Sequence, residues 1–308
     1  MKDFVGKRFW FLTIAGIYLL FAIISLGVFG LKPSIELTSG SLLTVHFTET
    51  VTEDSLKQEL ASLGYGNAIV QETSGGDFLI RTSELSSEAK ASLEDGLTSR
   101  FGQITEAEFS SVSPLVASET LRNAGIAVGV AIIGILLYVA WAFRKMPKPF
   151  RYGVCAVFAM AHDTIVALGL FAVLGKTLGW EVDLMFVTGI LALIGYSIND
   201  TVVVFDRIRE NVTRGVSADF ATVVNASIVG TLTRNLNTAL AVLLTILALL
   251  FFVGASIQNL MVVMLLSVTA GTFSSVFLAP SLLVVWERGE LGRLFKRTSS
   301  PVIKADSR

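Results

Sequence analysis

Gly195-Tyr-Ser-Ile-Asn-Asp-Thr-Val-Val-Val-Phe-Asp-Arg-Ile-Arg-Glu-Asn211 is the stretch from which the fold of this chain is read. It runs on without a break from an apolar segment, Leu184 to Ile194. Asn199 and Asp200 therefore fall inside a span of bilayer length, and Asp206, Arg207 and Arg209 mark where that helix leaves the lipid. A carboxylate at such depth costs about 2.5 kcal/mol or more and is by default a functional-site candidate. The sequence thus predicts a polytopic α-helical membrane protein with ionisable chemistry inside the bilayer.

Composition agrees. Hydrophobic residues make up 53% of the chain and charged residues 16%, against about a quarter charged in soluble domains. A formal net charge of −1 argues against a nucleic-acid partner. Cys155 is the one cysteine, so no intrachain disulfide can form. His46 and His162 are far apart in sequence, so no histidine-based metal site is expected, and no cofactor. No Ser/His/Asp set or phosphate-binding glycine loop is present, so the chain is not expected to be an enzyme or an ATPase.

Six segments are long and apolar enough to span: 9–31, 120–143, 152–174, 183–206, 233–254 and 258–286. The first, preceded by Lys2, Lys7 and Arg8, is too long for a cleavable signal core and reads as an anchor over 1–31. An exterior domain is expected over 32–117, the other five spans over 118–286 and a disordered tail over 287–308, with 207–230 read as a cytoplasmic, partly amphipathic helix leading into the fifth span. Arg144, Lys145, Lys148 and Arg151 crowd the second-to-third connection. Arg207, Arg209 and Arg214 follow the fourth span, and Arg288, Arg293, Lys296 and Arg297 the last. Positive-inside asymmetry then places both termini in the cytoplasm.

Inside the exterior segment, alternation and helical spacing give an order of elements. Leu42–Phe47 reads as a strand, and Leu56, Leu60 and Leu63 as one face of a helix. Ala68–Gln71 and Phe78–Arg81 pair around Ser74-Gly75-Gly76. Leu93, Leu97 and Phe101 mark a second helix and Ala107–Val112 a last strand. The order β-α-β-β-α-β is that of an α+β ferredoxin-like sandwich.

The membrane constellation comes from helical spacing. Tyr196, Asp200, Val203 and Arg207 share one face of the fourth span; Thr231, Arg234, Asn235 and Thr238 share one face of the fifth. Asp200 and Arg234 lie at similar depth on antiparallel neighbours, where they can pair or share water. Arginine stays charged at any relevant pH, so Asp200 is the member able to change state. The pair can equally be inert helix glue. Asp163, beside His162, projects from a stripe of mostly small residues toward another helix. Its roles as proton relay and as hydrogen-bonding anchor stay open, and His162 reads as a packing or hydrogen-bonding residue rather than a proton carrier. We expect Asp163, Asp200 and Arg234 to point into the bundle. Gly125-x-x-x-Gly129 and the Ser267, Gly271, Ser274 stripe predict close helix packing.

The quoted run resembles the signature of the SecF side of the SecDF family, within the resistance-nodulation-division superfamily. The resemblance extends to Ala161-His-Asp163, to Asn225…Thr231…Arg234, and to Gly271-Thr-Phe-Ser-Ser275 followed by Ala279-Pro280. Pro33-Ser-Ile-Glu-Leu-Thr-Ser-Gly-Ser-Leu-Leu43 resembles the family's first exterior motif, Gly-x-Asp-Phe-x-Gly-Gly. Glu36, Leu37 and Ser39 depart from it and only Gly40 keeps the glycine pair, which calls the tight geometry there into question; Asn235 stands where the family has Thr. The resemblance implies a bacterial cell-membrane protein paired with a second six-span subunit, SecD. It implies use of the proton-motive force to help draw unfolded preprotein from the SecYEG channel after SecA has driven it in. Asp200 and Arg234 would be proton-pathway residues, with Asp163 at a motif position and Asn199, Tyr196, Thr231, Asn235 and Thr238 in support. Two other readings stand beside this: a small-molecule exporter half of the same superfamily, which the small exterior domain disfavours, and a scaffold stabilising the translocon.

Overall fold

The structure is a computed structural model and describes residues 3–73, 76–144, 146, 148–252 and 257–290. The turn expected at Ser74-Gly75, Lys145, and the tail from 291 with Arg293, Lys296 and Arg297 lie outside the described residues. Two compact units are present: one takes the chain up to Ser25, Ala131–Leu170 and everything from Gly189, the other Leu26–Val130 and Phe171–Thr188.

The second unit carries the sheet. After the short helix α2 (Ile35–Thr38) come β1 (Gly40–Phe47), α3 (Glu53–Ser62), β2 (Ile69–Glu72), β3 (Asp77–Thr82), α4 (Ser87–Phe101) and β4 (Ile104–Val112). The strands are antiparallel in the order β2-β3-β1-β4, the ferredoxin-like arrangement the element order predicts. Leu43, Val45 and Phe47 face Leu56, Leu60, Leu93 and Leu97 in its core. α3 starts at a Thr52–Ser55 capping box, which satisfies amide donors the first turn would otherwise leave unpaired.

The glycine-pair motif keeps its tight backbone despite its departures. Ser39 has φ 71° and Gly40 φ 123°. A Cβ on Gly40 would lie 2.6 Å from the Thr82 carbonyl oxygen, so only glycine fits between β1 and β3. Glu36, at the motif's acidic position, accepts the Leu184 amide at 2.7 Å.

Six helices are long and apolar enough to cross a membrane: α1 (Arg8–Phe29) with the 3₁₀ turn Val5–Lys7 before it, α5 (Pro114–Ala142), α6 (Pro149–Leu178), α7 (Leu184–Thr213), α8 (Phe220–Phe252), and a last one made of α9 (Gln258–Phe273) and α10 (Ala279–Glu287). α7 outruns its expected limit because its polar end is held by pairs one turn apart, Arg209–Asp206 at 2.6 Å and Arg214–Glu210 at 2.6 Å. α8 begins at Phe220, inside the stretch expected as an amphipathic lead-in to the fifth span, where Asp219 receives the Thr222 amide at 3.1 Å as an N-terminal cap. Between α9 and α10 lies a π turn, Ser274–Leu278. Pro280 has no amide hydrogen to give the preceding turn, and a widened turn before it relieves the clash of its ring with that turn.

The Gly125–Gly129 expectation does not hold within this chain. Among the described residues, a Cβ on either glycine would meet nothing within 4 Å. Gly271 does pack closely, with Ser197 and Tyr196 about its missing side chain at 3.5–3.6 Å.

Candidate functional site

Apolar helices leave few ways to bury a carboxylate, and the first unit uses two different ones. Asp163, on α6, is fully buried. Its Oδ2 accepts the Ser197 hydroxyl of α7 at 2.7 Å and the Ser274 hydroxyl of the π turn at 2.5 Å. Its Oδ1 lies 3.1 Å from His162 Nδ1, and His162 Nε2 lies 3.1 Å from the Ala15 carbonyl oxygen of α1. Ser275 extends the network, donating to the Ser197 carbonyl at 2.9 Å and accepting from Thr201 Oγ1 at 2.9 Å. A buried polar group is tolerable where partners replace the water it loses, and Asp163 has them.

Asp200, one turn further along α7, does not. It is 2% exposed and its Oδ2 has no hydrogen-bond partner. Tyr196, Asn199 and the Arg234 charge lie within interaction range. Tyr196 Oη is 3.5 Å from Thr272 Oγ1, and Asn199 is exposed. An orphaned buried acceptor costs about 1–3 kcal/mol, more when charged.

Arg234 corrects an expectation: it does not point into the bundle. It is exposed, forms no ion pair with Asp200 among the described residues, and borders a cavity of about 520 Å³ with Tyr138, Trp141, Asp206 and Arg209. The expected polar face of α8 is split. Thr231 and Asn235 are buried, whereas Arg234 and Thr238 are exposed. Successive residues turn by about 100° on a helix, and the line between neighbour and open surface falls inside that arc. Asn235 Nδ2, like Asp200 Oδ2, is buried and unpartnered. Thr231 and Thr238 donate back to their own helix, to Ser227 O at 2.9 Å and Arg234 O at 3.0 Å. Among the described residues no three His, Cys, Asp or Glu side chains gather as a metal set.

Ser197 and Ser275 are polar members that spacing arguments pass over, while Ser274 reads only as a small packing residue and His162 as a packing or hydrogen-bonding one. All four lie within the motifs quoted above, but a serine in an apolar helix usually bonds to its own backbone. Only the fold shows which ones reach across.

Comparison with known proteins places these residues in a lineage. The family described as protein export membrane protein SecD/SecF, C-terminal, matches residues 92–289, and the SecD/SecF GG motif matches 24–51. The chain is 40% identical to protein translocase subunit SecF of Thermobaculum terrenum, over 97% of this chain and 98% of that one. It is 38% identical to protein translocase subunit SecF of Anaerolinea thermophila, over 98% and 99%. Among solved structures it is similar to the crystal structure of SecDF, a translocon-associated membrane protein, from Thermus thermophilus. There the TM-score is 0.81 at 31% identity, over 93% of this chain, which spans only 39% of that SecDF chain.

Proposed function

This chain belongs to the SecD/SecF family of protein-export membrane proteins, and on that premise we propose that it is an accessory subunit of Sec-dependent export that couples the proton-motive force to preprotein movement. The SecDF relatives of Bacillus subtilis and Thermus thermophilus are matched over only 38% and 37% of their length. The partner is SecD, whose part corresponds to the remainder of those SecDF chains. The assembly sits in a bacterial cell membrane beside SecYEG, with both termini of this chain cytoplasmic, and acts on unfolded preprotein that SecA has pushed into the channel.

The observation that carries the reading is Asp200, buried in an apolar helix with an oxygen that nothing satisfies. Its charge can change while that of Arg234 cannot, so a proton arriving on Asp200 alters the interaction between α7 and α8. Asn235, Tyr196 and Asn199 supply polar contacts along the route, and Asp163 holds α6 to α7 and the π turn while they shift. Movement of α7 reaches the exterior domain through its own first residue, whose amide is held by Glu36. Two discrete arrangements of such packed helices are enough for one proton to bias.

The test is preprotein translocation in inverted membrane vesicles under an imposed proton gradient, native chain against Asp200→Asn. We expect the gradient-dependent step to be lost with SecD association unchanged. Unchanged translocation would leave Asp200 as structural glue and favour the scaffold reading.

A further inference from the structure

The hydrogen-bond count around His162 requires more protons than a neutral imidazole and an ionised carboxylate can provide. Nε2 faces the Ala15 carbonyl at 3.1 Å, and a carbonyl oxygen only accepts, so Nε2 carries a hydrogen. Nδ1 faces Asp163 Oδ1 at 3.1 Å. A neutral imidazole has one N–H, already given to Ala15, so its Nδ1 lone pair would meet a carboxylate lone pair. Neither side is relieved by water: His162 is 4% exposed and Asp163 0%. The other carboxylate oxygen is taken by two serine hydroxyls.

We propose that His162 and Asp163 are a proton-binding site in which one proton is shared between Nδ1 and Oδ1, and that its occupancy decides whether α1 stays tied to α6. With the proton present, both contacts are made. Without it, the single N–H of the imidazole serves Ala15 or Asp163 but not both, and one contact opens. The tie is placed where it has leverage. α1 buries little besides Ala15, Ala22 and Ser25. Two turns beyond the His162–Ala15 contact, a Cβ on Gly169 would lie 2.4 Å from the Ala22 Cα. The two helices therefore run parallel along a seam where Ala15 and Ala22 meet His162 and Gly169, and at Gly169 the backbones are too close for any side chain.

The elements around the pair carry other ionisable groups. α1 brings Tyr18 and Arg8, α6 itself Arg151, Tyr152, Cys155 and Lys176, and α7 Tyr196, Asp200, Asp206, Arg207, Arg209 and Glu210, while Gln258–Leu278 has no ionisable residue. Among the described residues none of these hydrogen-bonds to His162 or Asp163; their partners are Ala15, Ser197 and Ser274. The proton is thus held by the pair itself. The site deepens the proton-coupled reading above and rests on it only for the use made of the proton.

Because the chain has two histidines, replacing the exposed one, His46→Gln, leaves His162 as the sole imidazole signal. The experiment is ¹⁵N-histidine NMR of that full chain in lipid at neutral pH, with infrared spectra of ¹³C-aspartate-labelled protein alongside. We expect Nε2 with the shift of a protonated nitrogen, together with one of two signals. Either Nδ1 is shifted into the protonated range, or an isotope-sensitive carboxylic-acid C=O band is present that Asp163→Asn removes. A bare, pyridine-type Nδ1 with no such band overturns the proposal, whatever the vesicle assay says of Asp200. The NMR measurement uses the native pair, so misfolding of Asp163→Asn would not blunt it.

Discussion

Ser39 shows how a single backbone angle can survive a change of side chain. Its φ of 71° with ψ of 166° lies in a region that glycine alone occupies freely, at a cost of roughly 1–3 kcal/mol for other residues. The departure of Ser39 from the glycine pair called the tight geometry into question; the structure retains it, because Gly40 must still fit against Thr82 and β1 must still enter the sheet. Ser39→Gly is therefore expected to stabilise the chain by about 1 kcal/mol, the relief of strain outweighing the added freedom of the unfolded chain. Denaturant unfolding of the purified protein checks this, and a loss of stability would mean that Ser39 bears no strain. At the same scale, Asp163 and Asp200 were both legible as intramembrane carboxylates. That one is fully hydrogen-bonded and the other left with an orphan oxygen was not, since it depends on serines brought from two other elements.

Among the helices, length was the least legible property. Hydropathy reports where a segment partitions, not where its backbone stops hydrogen bonding: the amphipathic helix expected over 207–230 is present, but as the end of α7 up to Thr213 and the start of α8 from Phe220. The short link left between them is fastened to the end of α10, where Arg288 donates to Asp219 at 2.8 Å. That bond, with help from Thr222, holds the Asp219 carboxyl down at about 2, well below the ordinary carboxylate range. A depressed carboxylate contributes at neutral pH and loses its contribution only as pH falls from the ordinary range through about 2. Carboxyl-carbon NMR should find that midpoint in the native chain, and Arg288→Ala should return it toward the ordinary range. No change on substitution would show the contact to be absent in solution. The π turn was also unreadable from periodicity, since its one signal is Pro280 some residues downstream.

For the whole molecule, the question is how chemistry in the membrane helices reaches the sheet domain. Within the second unit the α6–α7 connection is bound to the chain around the sheet: Ser34 and Val182 pair through the backbone at 2.9 Å, Glu36 caps α7, and Arg81 forms an ion pair with Glu181. Burial pushes the Glu181 carboxyl above its ordinary range despite the Arg81 charge beside it, so neither partner is cheaply left alone. If this junction transmits motion, Arg81→Glu and Glu181→Arg should each lower gradient-driven translocation several-fold, and the double exchange should restore most of it. Equal defects in all three variants would remove the junction from the mechanism. The sequence by itself determined the six helices, the order of elements in the ferredoxin-like domain and the two intramembrane carboxylates, because each rests on local periodicity or on the cost of charge in lipid. Only the tertiary structure decided that Arg234 faces outward, that Asp163 is shared among α6, α7 and the π turn, and that His162 reaches α1. Those facts depend on which faces of separate helices meet, and a helical repeat fixes the face but not the neighbour.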